Sequence, residues 1–235
     1  LELLARHGES VALLEVLEGV EHARSQSGTI ESIILAIALP CMVAFVLIPD
    51  LIMLALFGRG AFTAQDAALA GSILAAYAIA LPAVVLIRSA LASFYARSDT
   101  VTPLKISLTA VAVNIAFKLV LTGPFGVVGL ALATAIGAWV NLGLLLIVAR
   151  RRSWSAPDAY LGKVLGAALA GCVLLAAFVI VARSPFAEFA DSLPGAMLAE
   201  AQLAMLAIGG GLIYGVTVLV MLRSLGIRLR RPRAG

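Results

Sequence analysis

The stretch "LAGSILAAYAIALPAVVLIRSALASFY", residues 69–95, is an apolar run that stops abruptly at "ARSDTVTP", residues 96–103. As a helix rising about 1.5 Å per residue, the run outspans a bilayer core of about 30 Å. The break after it brings Arg97, Asp99 and the helix-restricting Pro103, and a second apolar run begins at Leu104. A greasy helix, a short polar hairpin and another greasy helix define a membrane protein.

Composition agrees. The 235 residues are 62% hydrophobic and only 13% charged, with a mean hydropathy of +1.08. Soluble domains carry about a quarter charged residues and just under half apolar ones. The net charge of +4 does not point to nucleic acid, because the basic residues lie between apolar runs and not along a groove interleaved with aromatics. Cys41 and Cys172 sit inside apolar runs with no CxxC spacing or nearby histidine, which implies neither a disulfide nor a metal site.

Six runs are long enough to cross: 32–56, 69–95, 103–122, 127–149, 160–182 and 200–223. They are continuous and lack ten-residue polar-apolar alternation, so helices are expected and barrel strands are not. The expected fold is all-α, a polytopic membrane bundle of six transmembrane helices preceded by a cytoplasmic amphipathic segment. Turn chemistry separates the runs. "FGRGAFTAQD" (57–66) offers Thr63 as a cap with Asp66 in the first turn, "TGPFG" (122–126) is a tight Gly-Pro turn, and "RSPFAEFADSLPG" (183–195) reads as a longer polar loop.

Orientation follows from basic residues. Of the 17 Lys and Arg, Arg88 and Lys118 fall inside spans, and only Arg59 and Arg183 fall in the connections that share one side. The rest lie on the side of residues 1–31, 96–105, 150–163 and the tail, which the positive-inside rule makes cytoplasmic. Tyr95 is then expected at headgroup level, Arg97 among anionic phosphates, and Pro103 in the opening turn of the next helix. Residues 1–31 form a cytoplasmic leader that reads as an amphipathic surface helix, and 224–235 a basic cytoplasmic tail. The chain begins at Leu1 and its first methionine is Met42, so a fragment of a longer protein is expected. No signal peptide is visible.

No constellation for catalysis appears. His7 and His22 lie in the leader, and GxSxG, HExxH and P-loop motifs are absent. Catalysis is not expected, nor is a cofactor. The costly residues are those inside spans. Arg88 lies nine residues before Arg97, roughly 13 Å deeper, and an arginine at a helix centre costs about 2.5–3.5 kcal/mol to insert. A wet cavity is favoured over snorkelling for it. Asn114 and Lys118 share one face of the third span with Ser107 and Val111. Lys118 can snorkel to the nearby outer interface, whereas Asn114 is deep enough for an interhelical hydrogen bond, the role also expected of Asn141. Gly162, Gly166 and Ala170, and Gly211 and Gly215, recur at four-residue spacing and are expected to let the last two helices pack closely as a hairpin; contact with a lipid tail is the alternative use.

Together the GxFT turn at 60–63, the FYAR-D-TP hairpin at 94–103, Asn114 in the following helix and "GLALATAIGAWVN" at 129–141 resemble the C-terminal half of the MurJ/MviN lipid II flippases of the MOP exporter superfamily. The resemblance covers residues 25 to 150; the last two spans match mainly by position and hydropathy. It implies four helices of a second lobe in residues 32–149, a cytoplasmic loop at 150–159, and an additional hairpin at 160–223 bordering a groove for a lipid tail. The implied activity is movement of an undecaprenyl-linked peptidoglycan precursor from the inner to the outer leaflet of the bacterial inner membrane by alternating access. Its implied partners are that precursor, membrane lipids and the N-terminal helices of the same protein, with no nucleic acid. A diphosphate headgroup needs cations in a midplane cavity, which makes Arg88 the leading substrate-path candidate, followed by Asn114 and Lys118. The fragment alone is expected to be inactive. Two alternatives stay open at this point: another MOP exporter such as a polysaccharide flippase, and a non-transporting membrane scaffold.

Overall fold

The computed structural model describes residues 32, 34–152, 154, 159–191 and 198–224. The leader 1–31, the tail beyond Ser224 and half of the 150–159 connection lie outside the described residues, as does the amphipathic helix expected at the start. Among the described residues every regular element is helical. The order is α1 (Ile34–Leu47), α2 (Pro49–Phe57), α3 (Ala64–Ala78), α4 (Leu81–Tyr95), α5 (Val101–Arg151), α6 (Ala159–Asp191) and α7 (Leu198–Ser224).

The helices differ from six separate straight spans, and prolines and glycines explain how. The first expected run, 32–56, bends by 89° between α1 and α2. Pro49 has no N–H to continue the ladder and pushes the residue before it out of the helical region, and Ile48 accordingly has φ −133 and ψ 44. The second run starts earlier than expected, at Ala64. Thr63 and Asp66 form the anticipated cap, with the Thr63 hydroxyl accepting from the Asp66 N–H and the Asp66 carboxylate accepting from the Thr63 N–H. Pro82 marks the break at Ile79–Ala80 that separates α3 from α4.

The third and fourth runs join in α5, whose 51 residues would stretch to about 75 Å if straight. They do not. Gly126 has φ 56 and ψ −133, a conformation open only to glycine, and the chain doubles back there. A Cβ on Gly129 would come within 2.2 Å of the Leu121 carbonyl oxygen, and one on Gly137 within 2.9 Å of the Asn114 Cβ. Farther along, Ile106 packs with Leu145 and Ala149. These pairs widen symmetrically about Gly126, so the two arms of α5 run antiparallel. Pro103 lies in the first turn of α5, where its missing N–H leaves no ladder bond unmade.

The polar loop expected at 183–195 is another correction: α6 continues as helix through Pro185 to Asp191. Phe186 packs edge-on against Phe178 at 6.0 Å and joins a core of Ile48, Leu51, Ile52, Leu175, Val179, Ala182 and Leu206. That packing holds the segment beyond Pro185 on the core.

Packing then places the pieces. α6 and α7 form the most extensive pair, α2 lies on α3 and touches α7, and α4 packs on α5. The α6–α7 contact does not run along the glycine stripes. A Cβ at Gly162, Gly166, Gly211 or Gly215 would meet open space, whereas one at Gly171 would lie 2.9 Å from the Tyr214 ring, one at Gly209 2.7 Å from Phe178, and one at Gly210 2.6 Å from Leu175. Close approach is set by large side chains seated on these last three glycines, which carry no four-residue repeat.

Candidate functional site

Arg88 lies on an exposed stripe of α4 with Val84, Ala92 and Tyr95, spaced four, four and three residues apart. Ile87, Ala90, Leu91 and Phe94 turn another face to α5, and Val85 and Leu86 turn toward the α1–α6–α7 cluster. Arg88 therefore points between the packed faces. It makes no hydrogen bond or ion pair with any described residue. It lies seven residues before Tyr95, about 10 Å along a span that runs from Ala64 to Tyr95.

The structure does not gather Arg88, Asn114 and Lys118 into one cluster. Asn114 is folded inside the α5 hairpin, its Cβ and amide against Gly137 on the returning arm. Its Oδ1 is buried without a partner, and so is the Oδ1 of Asn141, one turn beyond Gly137. Neither asparagine makes the interhelical hydrogen bond expected of it with a described residue. Lys118 is half-buried one turn beyond Asn114, and the Thr122 hydroxyl donates to its backbone carbonyl.

At the basic end of α4 and α5 a tighter constellation forms. Asp99 accepts from the Thr102 N–H at 3.0 Å and pairs with Arg152 at 2.5 Å, while Arg152 also donates to the Thr102 hydroxyl. The two Thr102 bonds, and then Arg152, hold the Asp99 carboxyl down at about 2. Trp154 packs edge-on to the fully buried Phe94 at 5.4 Å. The guanidinium of Arg152 lies 4.7 Å and that of Arg97 5.1 Å from its ring. Sequence reasoning gave Asp99 and Trp154 no role. The available signal was a tryptophan two residues after a run of arginines at a span end, where indoles settle at the membrane interface.

At the opposite end the two basic residues that stood against the charge bias are both paired, Arg183 with Asp50 at 2.7 Å and Arg59 with Glu200 at 3.3 Å. Their charges are offset within the fold. Between the ends, the Trp139 indole N–H donates to the Ile79 carbonyl at 3.0 Å, at the α3–α4 break. An apolar cleft of about 480 Å³ opens beside it, lined by Ile79, Leu132, Ala135, Ile136 and Val140.

Long apolar helices whose charges, among the described residues, gather toward the ends except for Arg88 and Lys118 define a multi-pass helical membrane protein. Residues 19–193 match the family described as lipid II flippase MurJ. The chain belongs to that family. It is 42% identical over 132 residues to the probable lipid II flippase MurJ of Rhizobium tropici, an alignment that takes in 56% of this chain and 25% of the relative. To the probable lipid II flippase MurJ of Rickettsia prowazekii it is 37% identical over 111 residues, 47% of this chain and 22% of the relative. The chain thus spans about a quarter of the length of the curated relatives it matches. The solved structure titled lipid II flippase MurJ, inward closed conformation, shares the fold, with a TM-score of 0.63 at 22% identity over 83% of this chain and 38% of the other.

Proposed function

We propose that the chain supplies the later helices of a flippase that moves a lipid-linked peptidoglycan precursor across the bacterial inner membrane, with its basic ends in the cytoplasm. The observation that carries this reading is Arg88. It is a permanent cation at depth in a span, exposed between two packed faces and without a carboxylate among the described residues. A charge kept at such a depth calls for a wet path or an anionic ligand, and a diphosphate headgroup is that ligand. Asn114 and Lys118, on the first arm of α5, are secondary candidates for the same path.

The test is Arg88→Ala in the gene that encodes this chain, in cells depleted of other lipid II flippases. Loss of growth with accumulation of the lipid-linked precursor, at unchanged membrane level of the protein, is expected. Normal growth of the variant sinks the assignment. Accumulation of a different lipid-linked saccharide in its place would make the protein a polysaccharide flippase. Labelling of a cysteine at position 88 by a water-soluble thiol reagent separates transporter from scaffold, because a scaffold has no water path there.

A further inference from the structure

We propose that Arg97 and Trp154 form a binding site for a phosphate anion at the bilayer surface, supplied by the headgroup of an anionic phospholipid. Two cations share the indole of Trp154, and they are not equivalent. Arg152 is committed: its guanidinium is bonded to Asp99 and to the Thr102 hydroxyl. Arg97 spends one N–H on the Ser93 carbonyl at 2.7 Å and has no carboxylate partner among the described residues. A guanidinium carries five N–H donors, so most of its donor capacity faces outward.

Arg97 is also held in place. The ring beneath it rests on buried Phe94, and the turn that carries it is fixed by Ser98 at φ 57 and by the Arg97 and Asp99 N–H groups donating to the Phe94 carbonyl. A positioned, under-committed guanidinium suits bidentate capture of phosphate. Exposed Lys105 and Arg151 belong to the same basic end and add long-range attraction without defining the site. Lipid is favoured over a soluble phosphate because the site terminates two spans next to exposed Tyr95, the level at which a leaflet presents its phosphates.

The experiment uses the whole chain in an uncharged detergent, with Trp139→Phe so that Trp154 alone reports. Short-chain phosphatidylglycerol, short-chain phosphatidylcholine and inorganic phosphate are titrated separately at matched ionic strength while indole emission is followed. Phosphatidylglycerol is expected to shift the emission saturably, with an affinity that falls as salt rises. Arg97→Gln should weaken that affinity by about fivefold, the scale of one basic side chain at an anionic surface. An equal response to phosphatidylcholine or to inorganic phosphate overturns the assignment to anionic lipid. An unchanged affinity in Arg97→Gln, with helix content by circular dichroism intact, overturns the role of Arg97.

Discussion

The Tyr214 hydroxyl of α7 donates to the Ala36 carbonyl of α1 at 2.5 Å, and Ala36 stands four residues before Pro40. In a helix that carbonyl would accept from the N–H of residue 40, which proline lacks. Tyr214 thus supplies the bond that Pro40 removes. It ties the α6–α7 hairpin to the first helix.

Tyr214→Phe should therefore destabilise the fold by about 0.5–2 kcal/mol, the range for hydrogen bonds within membrane bundles. In a Pro40→Ala background the helix supplies its own donor, and the same substitution should cost less. A double-mutant cycle of unfolding in mixed micelles measures the coupling. Equal costs in both backgrounds would show that the phenol contributes only through packing.

Glycines separate by what faces them. Gly171→Ala pushes a methyl into the Tyr214 ring and should cost about 1–3 kcal/mol. Gly166→Ala meets open space and should be neutral or gain up to about 1 kcal/mol from helix propensity. The same unfolding assay compares the two, and a reversed order would place the α6–α7 contact on the stripe of Gly162 and Gly166.

Gly126→Ala should cost about 1–3 kcal/mol, because a Cβ strains the backbone at φ 56 and ψ −133 even though the space around it is open. Gly123→Ala, two residues before Phe125 and also in open space but without that conformation, serves as the control. Protease nicking at the 122–126 turn should rise in the first variant and stay unchanged in the second.

Acid should loosen the clasp at the basic end. The Asp99 carboxyl is depressed to about 2 from its ordinary value, so it favours the folded state fully above the ordinary carboxylate range. That contribution is lost as pH falls through about 4 toward 2. Trp154 emission in the Trp139→Phe chain should change over that window, and Asp99→Asn should abolish the change. A transition of the same size in Asp99→Asn would assign it to another group.

Much of this was legible in the chain. Runs such as 69–95 exceed the bilayer thickness whatever their packing, and the Thr63–Asp66 cap is local chemistry. The hairpin at 122–126 was visible too, because a Gly-Pro turn between two bilayer-length runs leaves few other conformations. What escaped was side-chain partnership across the sequence. Four-residue glycine spacing suggested an interface, yet Gly171, Gly209 and Gly210 form it, because the partner side chains Tyr214, Phe178 and Leu175 decide which glycine is needed. The Asp99–Arg152–Trp154 cluster joins residues more than fifty positions apart, and no periodicity announces it.

The sequence by itself determined a multi-pass helical membrane protein, its polar ends and the depth of Arg88, since these follow from solvation, a property of each residue and its near neighbours. Only the tertiary structure decided that α1 and α2 meet at 89°, that Arg88 faces outward while Asn114 is enclosed, and that Tyr214 mends the gap left by Pro40. Those outcomes depend on which surfaces meet, and in a bilayer that choice rests on close packing and on finding a partner for every freed backbone group.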